Sequence, residues 1–234
     1  MAEPWYHVTK AVAIQPVRAW FNLRYEGLEH IPRTGPAIIA CNHISYLDPL
    51  TSASAVVKAG RRPRFLAKDD LFRIPVVGTV FRGTRQIPVA RGTGAATAAL
   101  SSAERSLARG EVVVIYPEGT VTTRPDHLPM QGKTGVVRLA LSSGVPITPL
   151  VSWGSQTVWQ KTGKGSLKLG RPVWLRAGPP IELTVGPGER TDADAMPVAN
   201  PAAMRAATAD VMAVLTAMVR DLRAAYPRSW TDDG

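Results

Sequence analysis

Ala37-Ile38-Ile39-Ala40-Cys41-Asn42-His43-Ile44-Ser45-Tyr46-Leu47-Asp48-Pro49 is the stretch whose reading decides the fold. Its first five residues are apolar, follow Gly35-Pro36, and read as a buried strand. Leu50 to Lys58 is rich in Ala, Val and Ser and free of Gly and Pro, so it reads as a helix. Pro49 suits the first helical position, where its fixed φ is pre-set and its missing N–H has no helical partner. Asp48 is then a natural N-cap, and His43 falls on the loop that joins strand to helix. Such a loop presents a reactive side chain from a rigid scaffold.

A His followed five positions later by an Asp also suggests an oriented base. Imidazole titrates near ~6.5, and a carboxylate on one ring nitrogen fixes the tautomer and stabilises the imidazolium. On a continuous helix the two side chains would diverge by about 140°. The pairing therefore needs the loop-then-helix arrangement that Asp48-Pro49 implies. The plainer reading makes Asp48 only a helix cap and His43 only a loop residue.

Flanking segments extend the pattern. Arg64 to Ala67 reads as a second strand, Ile74 to Phe81 as a short apolar helix, and Arg85 to Val89 as a third strand leading to Arg91. Thr93 to Arg109 is Ala-rich and stops at Gly110, which suits a helix. Glu111 to Tyr116 is nearly all apolar, as expected of a strand buried on both faces. Thr134 to Leu141 reads as a helix and Pro146 to Val151 as a strand. Short strands are expected around Trp153, Trp159, Leu167 to Leu169 and Val173 to Leu175, and a loop from Gly186 to Pro201. Arg205 to Tyr226 closes the chain as a helix with Val211, Leu215, Met218 and Leu222 on one stripe. This alternation predicts an α/β fold, a mixed, largely parallel sheet flanked by helices. Active groups of such folds gather at strand carboxyl ends, and His43, Arg91 and Glu118 each follow one.

The net charge of +10 calls for an anionic partner. Basic residues crowd the span from Lys58 to Arg91, either as a solvated face or as an anion-binding one. Phe65, Phe72 and Phe81 sit in apolar contexts there, and no recognition-helix pattern accompanies them, so no nucleic-acid partner is expected. The single cysteine, Cys41, excludes an intramolecular disulfide. No His-x3-His or His-Glu-x-x-His spacing occurs, and no metal is expected. Gln131-Gly132-Lys133-Thr134 has the ending of a P-loop, but His127 stands where its first Gly belongs, so ATP binding is not expected. Lys133 reads instead as an anion contact. A serine hydrolase is unsupported too, because no Gly-x-Ser-x-Gly elbow exists.

Residues 1–24 mix Trp5, Val8, Val12, Trp20 and Phe21 with Lys10, Arg18 and Arg24, and show no signal-peptide pattern. They read as an amphipathic helical segment bent at Pro16, lying in a membrane interface or packing on the core. Tyr25 to Pro32 reads as an edge strand and turn. The longest uncharged stretch, 139–160, is broken by Gly144, Pro146, Pro149 and Gly154, so membrane attachment is expected to be peripheral.

Four blocks in order, Asn42-His43-x4-Asp48-Pro49, Ile87-Pro88-Val89-Ala90-Arg91, Tyr116-Pro117-Glu118-Gly119-Thr120 and Val145-Pro146-Ile147-Thr148-Pro149, resemble the motifs of the glycerolipid acyltransferase family. The 1-acyl-sn-glycerol-3-phosphate acyltransferases are its most similar members. The resemblance covers roughly residues 28–150, and the C-terminal third matches only loosely. It implies residues 25–234 as the acyltransferase domain and residues 1–24 as the membrane-interface segment. It further implies His43 and Asp48 as the catalytic pair and Arg91 as the phosphate-binding residue, with Arg85 a nearby substitute. Glu118, Gly119 and Thr120 would line the acceptor site, with Gly119 allowing close approach. Glu118, being acidic, would orient an Arg or accept from a glycerol hydroxyl. The family's acidic residue before Arg91 is Ala90 here, and its Arg after the Thr is Val121, for which Arg124 could substitute. The implied reaction moves a fatty acyl group from acyl-CoA or acyl carrier protein to 1-acyl-sn-glycerol-3-phosphate, without a cofactor. It would take place at the cytoplasmic face of the cell membrane, with no obligate protein partner. The alternatives are another lysolipid or glycolipid acceptor, or an idle membrane-binding scaffold. The fourth block either shapes a substrate channel or is an ordinary core strand.

Overall fold

The computed structural model describes residues 4–90, 95–163, 165–183 and 200–230. Arg91 and most of the loop expected from Gly186 to Pro201 lie outside the described residues. Seven strands form one sheet in the order β1-β7-β6-β2-β5-β3-β4. They are β1 (Asn22–Glu26), β2 (Ala37–Cys41), β3 (Pro63–Lys68), β4 (Ile87–Val89), β5 (Val112–Ile115), β6 (Ile147–Trp153) and β7 (Pro172–Ala177). All neighbours are parallel except β6 and β7. The mixed, largely parallel sheet read from the sequence is therefore the observed one. Trp159 and Leu167 to Leu169 are in loops rather than strands, because nothing pairs with them in the sheet.

The helices are α1 (Pro4–Thr9), α2 (Gln15–Trp20), α3 (Asp48–Lys58), α4 (Asp69–Arg73), α5 (Pro75–Gly83), α6 (Ala95–Ala108), α7 (Gly135–Ser143) and α8 (Pro201–Ala225). Alternate residues of the central strands face opposite layers. Ile38, Ala40, Val113 and Ile115 pack with side chains of α6, α7 and α8. Ile39, Cys41, Val112 and Val114 pack with Ala55 and Val56 of α3 and with Val17 of α2. Every residue of β2, β5 and β6 is buried, as covered parallel strands require.

At the N-terminus, α1 and α2 are joined by a π-helical turn, Lys10–Ile14, in which Gln15 N–H donates to Lys10 O. Pro16 lies just beyond it and cannot donate, which favours this widened turn over a regular helix. One side of this helix is core: Ile14 meets Ala53 and Val57, and Val17 and Phe21 are buried. The other side exposes Val8 and Val12. Strand β1 begins at Asn22, so the helical segment ends before residue 22. By length and composition α8 is apolar enough to cross a bilayer. Here it lies on the sheet, with Val211, Leu215, Val219 and Leu222 buried and Asn200 Oδ1 capping its Ala202 N–H.

Candidate active site

The carboxyl ends of β2, β5, β3 and β6 share one edge of the sheet. Because β7 and β1 run the opposite way, their amino ends reach that edge too. At the end of β2 the backbone leaves the sheet, and Asn42 replaces the missing rung. Its Nδ2 donates to Ser152 O at 3.1 Å, and Ser152 N–H donates to its Oδ1 at 2.8 Å.

Asp48 then shapes the loop. It is fully buried, and Oδ2 accepts from Ile44 N–H at 2.6 Å and Ser45 N–H at 2.8 Å, and lies 3.0 Å from His43 Nδ1. Its Oδ1 accepts from the hydroxyls of Ser155 at 2.6 Å and Ser152 at 3.4 Å. These donors offset the cost of burying a carboxylate. The N-cap reading of Asp48 is corrected: it is the first residue of α3, Leu47 holds the cap position, and its side chain turns back onto the loop. Asp48 organises the His43 loop.

With Nδ1–H directed at Asp48, Nε2 is left as the ring's acceptor, the tautomer a general base needs. The His43 side chain is 14 % exposed, so the ring is held yet reachable. Tyr116 stacks on it with centroids 4.3 Å apart, and the Tyr116 hydroxyl donates to Ser52 Oγ. Sequence reading missed Tyr116, Ser152 and Ser155 as supports. Tyr116 had a signal, its place beside Glu118, whereas Ser155 stands more than a hundred residues from Asp48 and had none.

Glu118 also differs from expectation. Its Oε1 accepts from His43 N–H and its Oε2 from Met130 N–H, both at 2.9 Å, so among the described residues its partners are backbone amides and not an Arg. Burial pushes its carboxyl up to about 7, although those two N–H bonds oppose the shift. Gly119 does permit a close approach. At φ +68° its added Cβ would lie 2.8 Å from Lys133 Nζ, so this ammonium rests over the turn. On the other side Lys161 Nζ is 3.4 Å from Thr120 Oγ1. Lys161 had no sequence signal, because the loop after β6 brings it there. Lys68 ends β3 on the same edge, where the strand-end rule would have found it.

Of the two other proposed arginines, Arg85 is placed elsewhere, and Arg124, two residues past Thr122 whose N–H donates to His43 O, is paired. Arg85 lies at the amino end of β4 and pairs with Glu111, 3.1 Å away, at the amino end of β5. Arg64 and Arg109 share the same carboxylate. The length of β5, about 13 Å at strand rise, separates this cluster from the His43 edge. Arg124 makes a two-pronged pair with Asp126, at 2.9 and 2.7 Å, which occupies its fork. Val121, standing where the family places Arg, is buried. Among the described residues no three His, Cys, Asp or Glu side chains group as metal ligands.

Residues 22–153 match the family model described as Acyltransferase. An uncharacterized protein of Mycobacterium tuberculosis (strain ATCC 25618 / H37Rv) is 34% identical over 152 residues, 61% of this chain and 40% of that protein. A 1-acyl-sn-glycerol-3-phosphate acyltransferase of Borreliella burgdorferi is 32% identical over 146 residues, 58% of this chain and 52% of that one. The matched region thus spans about two fifths of the mycobacterial relative and about half of the Borreliella one. Among solved structures, the 1-acyl-sn-glycerophosphate acyltransferase of Thermotoga maritima superposes with a TM-score of 0.65 at 23% identity, covering 89% of this chain and 75% of that one. That likeness carries the fold. A family match over more than half of the chain, joined to the His43–Asp48 pair at the strand ends, leads to one conclusion: the chain belongs to the acyltransferase family.

Proposed function

We propose that this protein transfers a fatty acyl group from an acyl thioester to the free hydroxyl of 1-acyl-sn-glycerol-3-phosphate, giving phosphatidic acid. The observation that carries this reading is the buried Asp48 carboxylate on His43 Nδ1 within the acyltransferase domain. His43 Nε2 takes the hydroxyl proton as the oxygen attacks the thioester carbon. The tetrahedral intermediate then expels the thiolate, which takes that proton back from the imidazolium and leaves as thiol. Asp48 stabilises the imidazolium between the two steps. The amides of His43, Ile44 and Ser45 are already bound by Glu118 and Asp48, so the oxyanion falls to other backbone donors.

Arg91, by its match to the second motif, holds the acceptor phosphate, with the Lys133 ammonium over Gly119 as a second contact. The donor is acyl-CoA or acyl carrier protein, and the protein works peripherally at the cytoplasmic face of the cell membrane. A different lysolipid or glycolipid acceptor is favoured by one observation: buried Val121 and paired Arg124 leave the third block without its usual guanidinium.

Thiol release measured over a panel of donors and acceptors tests both. Lysophosphatidate with acyl-CoA or acyl carrier protein is expected to give the fastest turnover. Arg91→Ala and Lys133→Ala should each raise the KM for that acceptor about tenfold to a hundredfold and leave the donor KM unchanged. Equal rates with acceptors lacking phosphate would favour the second reading.

A further inference from the structure

Single exposed apolar residues are ordinary on a protein surface, and only their clustering is informative. Among the described residues, seven of the eleven exposed large apolar side chains lie on the sheet edge that carries His43. They form two patches. On the β6–β7 side, the loop into β7 raises Leu167 (69% exposed) and Leu169 (65%), with Trp159 (54%) and the Tyr46 ring against it beside them. Trp20 anchors that loop, donating from Nε1 to Leu167 O at 2.7 Å. On the β3–β4 side, the turn from α4 into α5 raises Ile74 and Val76 (76%). Four strand spacings separate β7 from β3, so the patches stand about 19 Å apart with the His43 loop between them.

The charge around the first patch has one sign. Residues 159–170 contain three Lys and no Asp or Glu. At the second patch Lys68 and Arg73 are balanced by Asp69 and Asp70, with Arg73 pairing with Asp69 at 3.1 Å, so that patch contributes apolar contact and no net charge. Two sets of apolar tips, one of them beside ammonium groups, fit a surface whose interior is hydrocarbon and whose face is negative. A rigid protein partner would leave the site between the patches covered. A fluid bilayer instead delivers a one-chain lysolipid to it and takes up the two-chain product.

We propose that these two patches, Ile74–Val76 and Trp159–Leu169, are the feet on which the molecule seats on an anionic phospholipid bilayer, with the His43 edge facing the lipid. This rests on the reading that the acceptor is a membrane lipid. The α1–α2 helix lies along one layer of the sheet, with Trp5 against Gly83 and Tyr6 under Arg62 at the opposite edge, and is not the main contact.

The test compares the full chain with two variants on vesicles of phosphatidylcholine, with and without phosphatidylglycerol. One variant is Ile74→Ser/Val76→Ser/Leu167→Ser/Leu169→Ser, and the other is Val8→Ser/Val12→Ser. Thermal melts confirm that both fold, as substitutions at exposed positions should. The first variant should bind phosphatidylglycerol vesicles about tenfold or more weakly than the wild type, and the second should bind nearly normally. Thiol release with vesicle-borne lysophosphatidate should fall along with binding. Release with a dispersed short-chain acceptor should stay at the wild-type level. Unchanged binding by the first variant, or a larger loss by the second, overturns the proposal. Wild-type protein that binds vesicles but releases no thiol with any acceptor would overturn the transferase reading and leave the docking surface standing.

Discussion

Asp48 receives hydrogen bonds from two amides and two hydroxyls and lies against the His43 ring, so its shape and its charge do separate work. In Asp48→Asn the amide oxygen can keep the Oδ2 contacts, while the hydroxyls of Ser152 and Ser155 rotate to accept from the NH₂. The loop should therefore survive and the imidazolium lose its counter-charge. Thermal stability should change little and kcat fall about a hundredfold or more, within the range that a general base contributes. An Asn variant with wild-type kcat would leave Asp48 a purely structural residue. Glu118 gives a pH signature. Its carboxyl is raised from 4.5 to about 7, so between those values the folded state binds more protons than the unfolded one. Stability contributed by this group must then fall as pH rises through that window. The denaturant stability of the wild type minus that of Glu118→Gln should decline across it, by at most about 1.4 kcal/mol per pH unit. A flat difference would mean that the carboxyl is not perturbed. The roles of Glu118 and Asp48 were only half legible, because a sequence gives a side chain's chemistry and not which amides fold back onto it.

At the scale of elements, the α4–α5 turn shows packing overriding propensity. Gly78 lies within α5, where replacing Gly with Ala ordinarily gains about 1 kcal/mol. Here the added Cβ would run into the backbone carbonyl oxygen of Phe72 in α4, an atom that cannot swing aside. Gly78→Ala should therefore destabilise the protein by about 2 kcal/mol or more, read as a lower denaturant midpoint. A raised midpoint would show that the two helices can part. Elements whose pattern is strong, such as β2, β5 and α8, were legible because complete burial or one buried stripe fixes their composition. Trp159 and Leu167 to Leu169 were misread as strands because Trp and Leu have the composition of strands. Ser166 N–H instead donates to Thr157 O within the loop, and no sheet neighbour is left for the segment.

For the whole molecule, the N-terminal helix decides how the chain can be cut. Ile14, Val17 and Phe21 are buried against the α3 layer, and β1 at the sheet's margin follows at once. Each such side chain contributes about 1.5–3 kcal/mol by burial, a large share of a typical domain's 5–15 kcal/mol. Removing residues 1–21 should lower Tm sharply or leave the protein insoluble. Val8→Ser/Val12→Ser, on the exposed side, should hardly move it. A truncated protein with unchanged Tm would make the segment an appendage. Vesicle binding should also weaken with added salt, since charge on an exposed surface is screened beyond roughly 8 Å at physiological ionic strength.

The sequence by itself determined the layered α/β fold, the strand–loop–helix that holds His43, and the basic character of the molecule. Those follow from local composition, periodicity and net charge, which need no knowledge of distant neighbours. Only the tertiary structure decided which cations share the edge with His43. Arg85 begins a strand and Lys68 follows one in the sequence, but only the parallel pairing of β3 with β4 and β5 puts Lys68 on the His43 edge and Arg85 on the opposite one, beside Glu111. The structure alone likewise joined Ser155 to Asp48 and Lys161 to Thr120. Those pairs meet because the sheet sets β6 beside β2, and strand order is a property of the assembled sheet and not of any one segment.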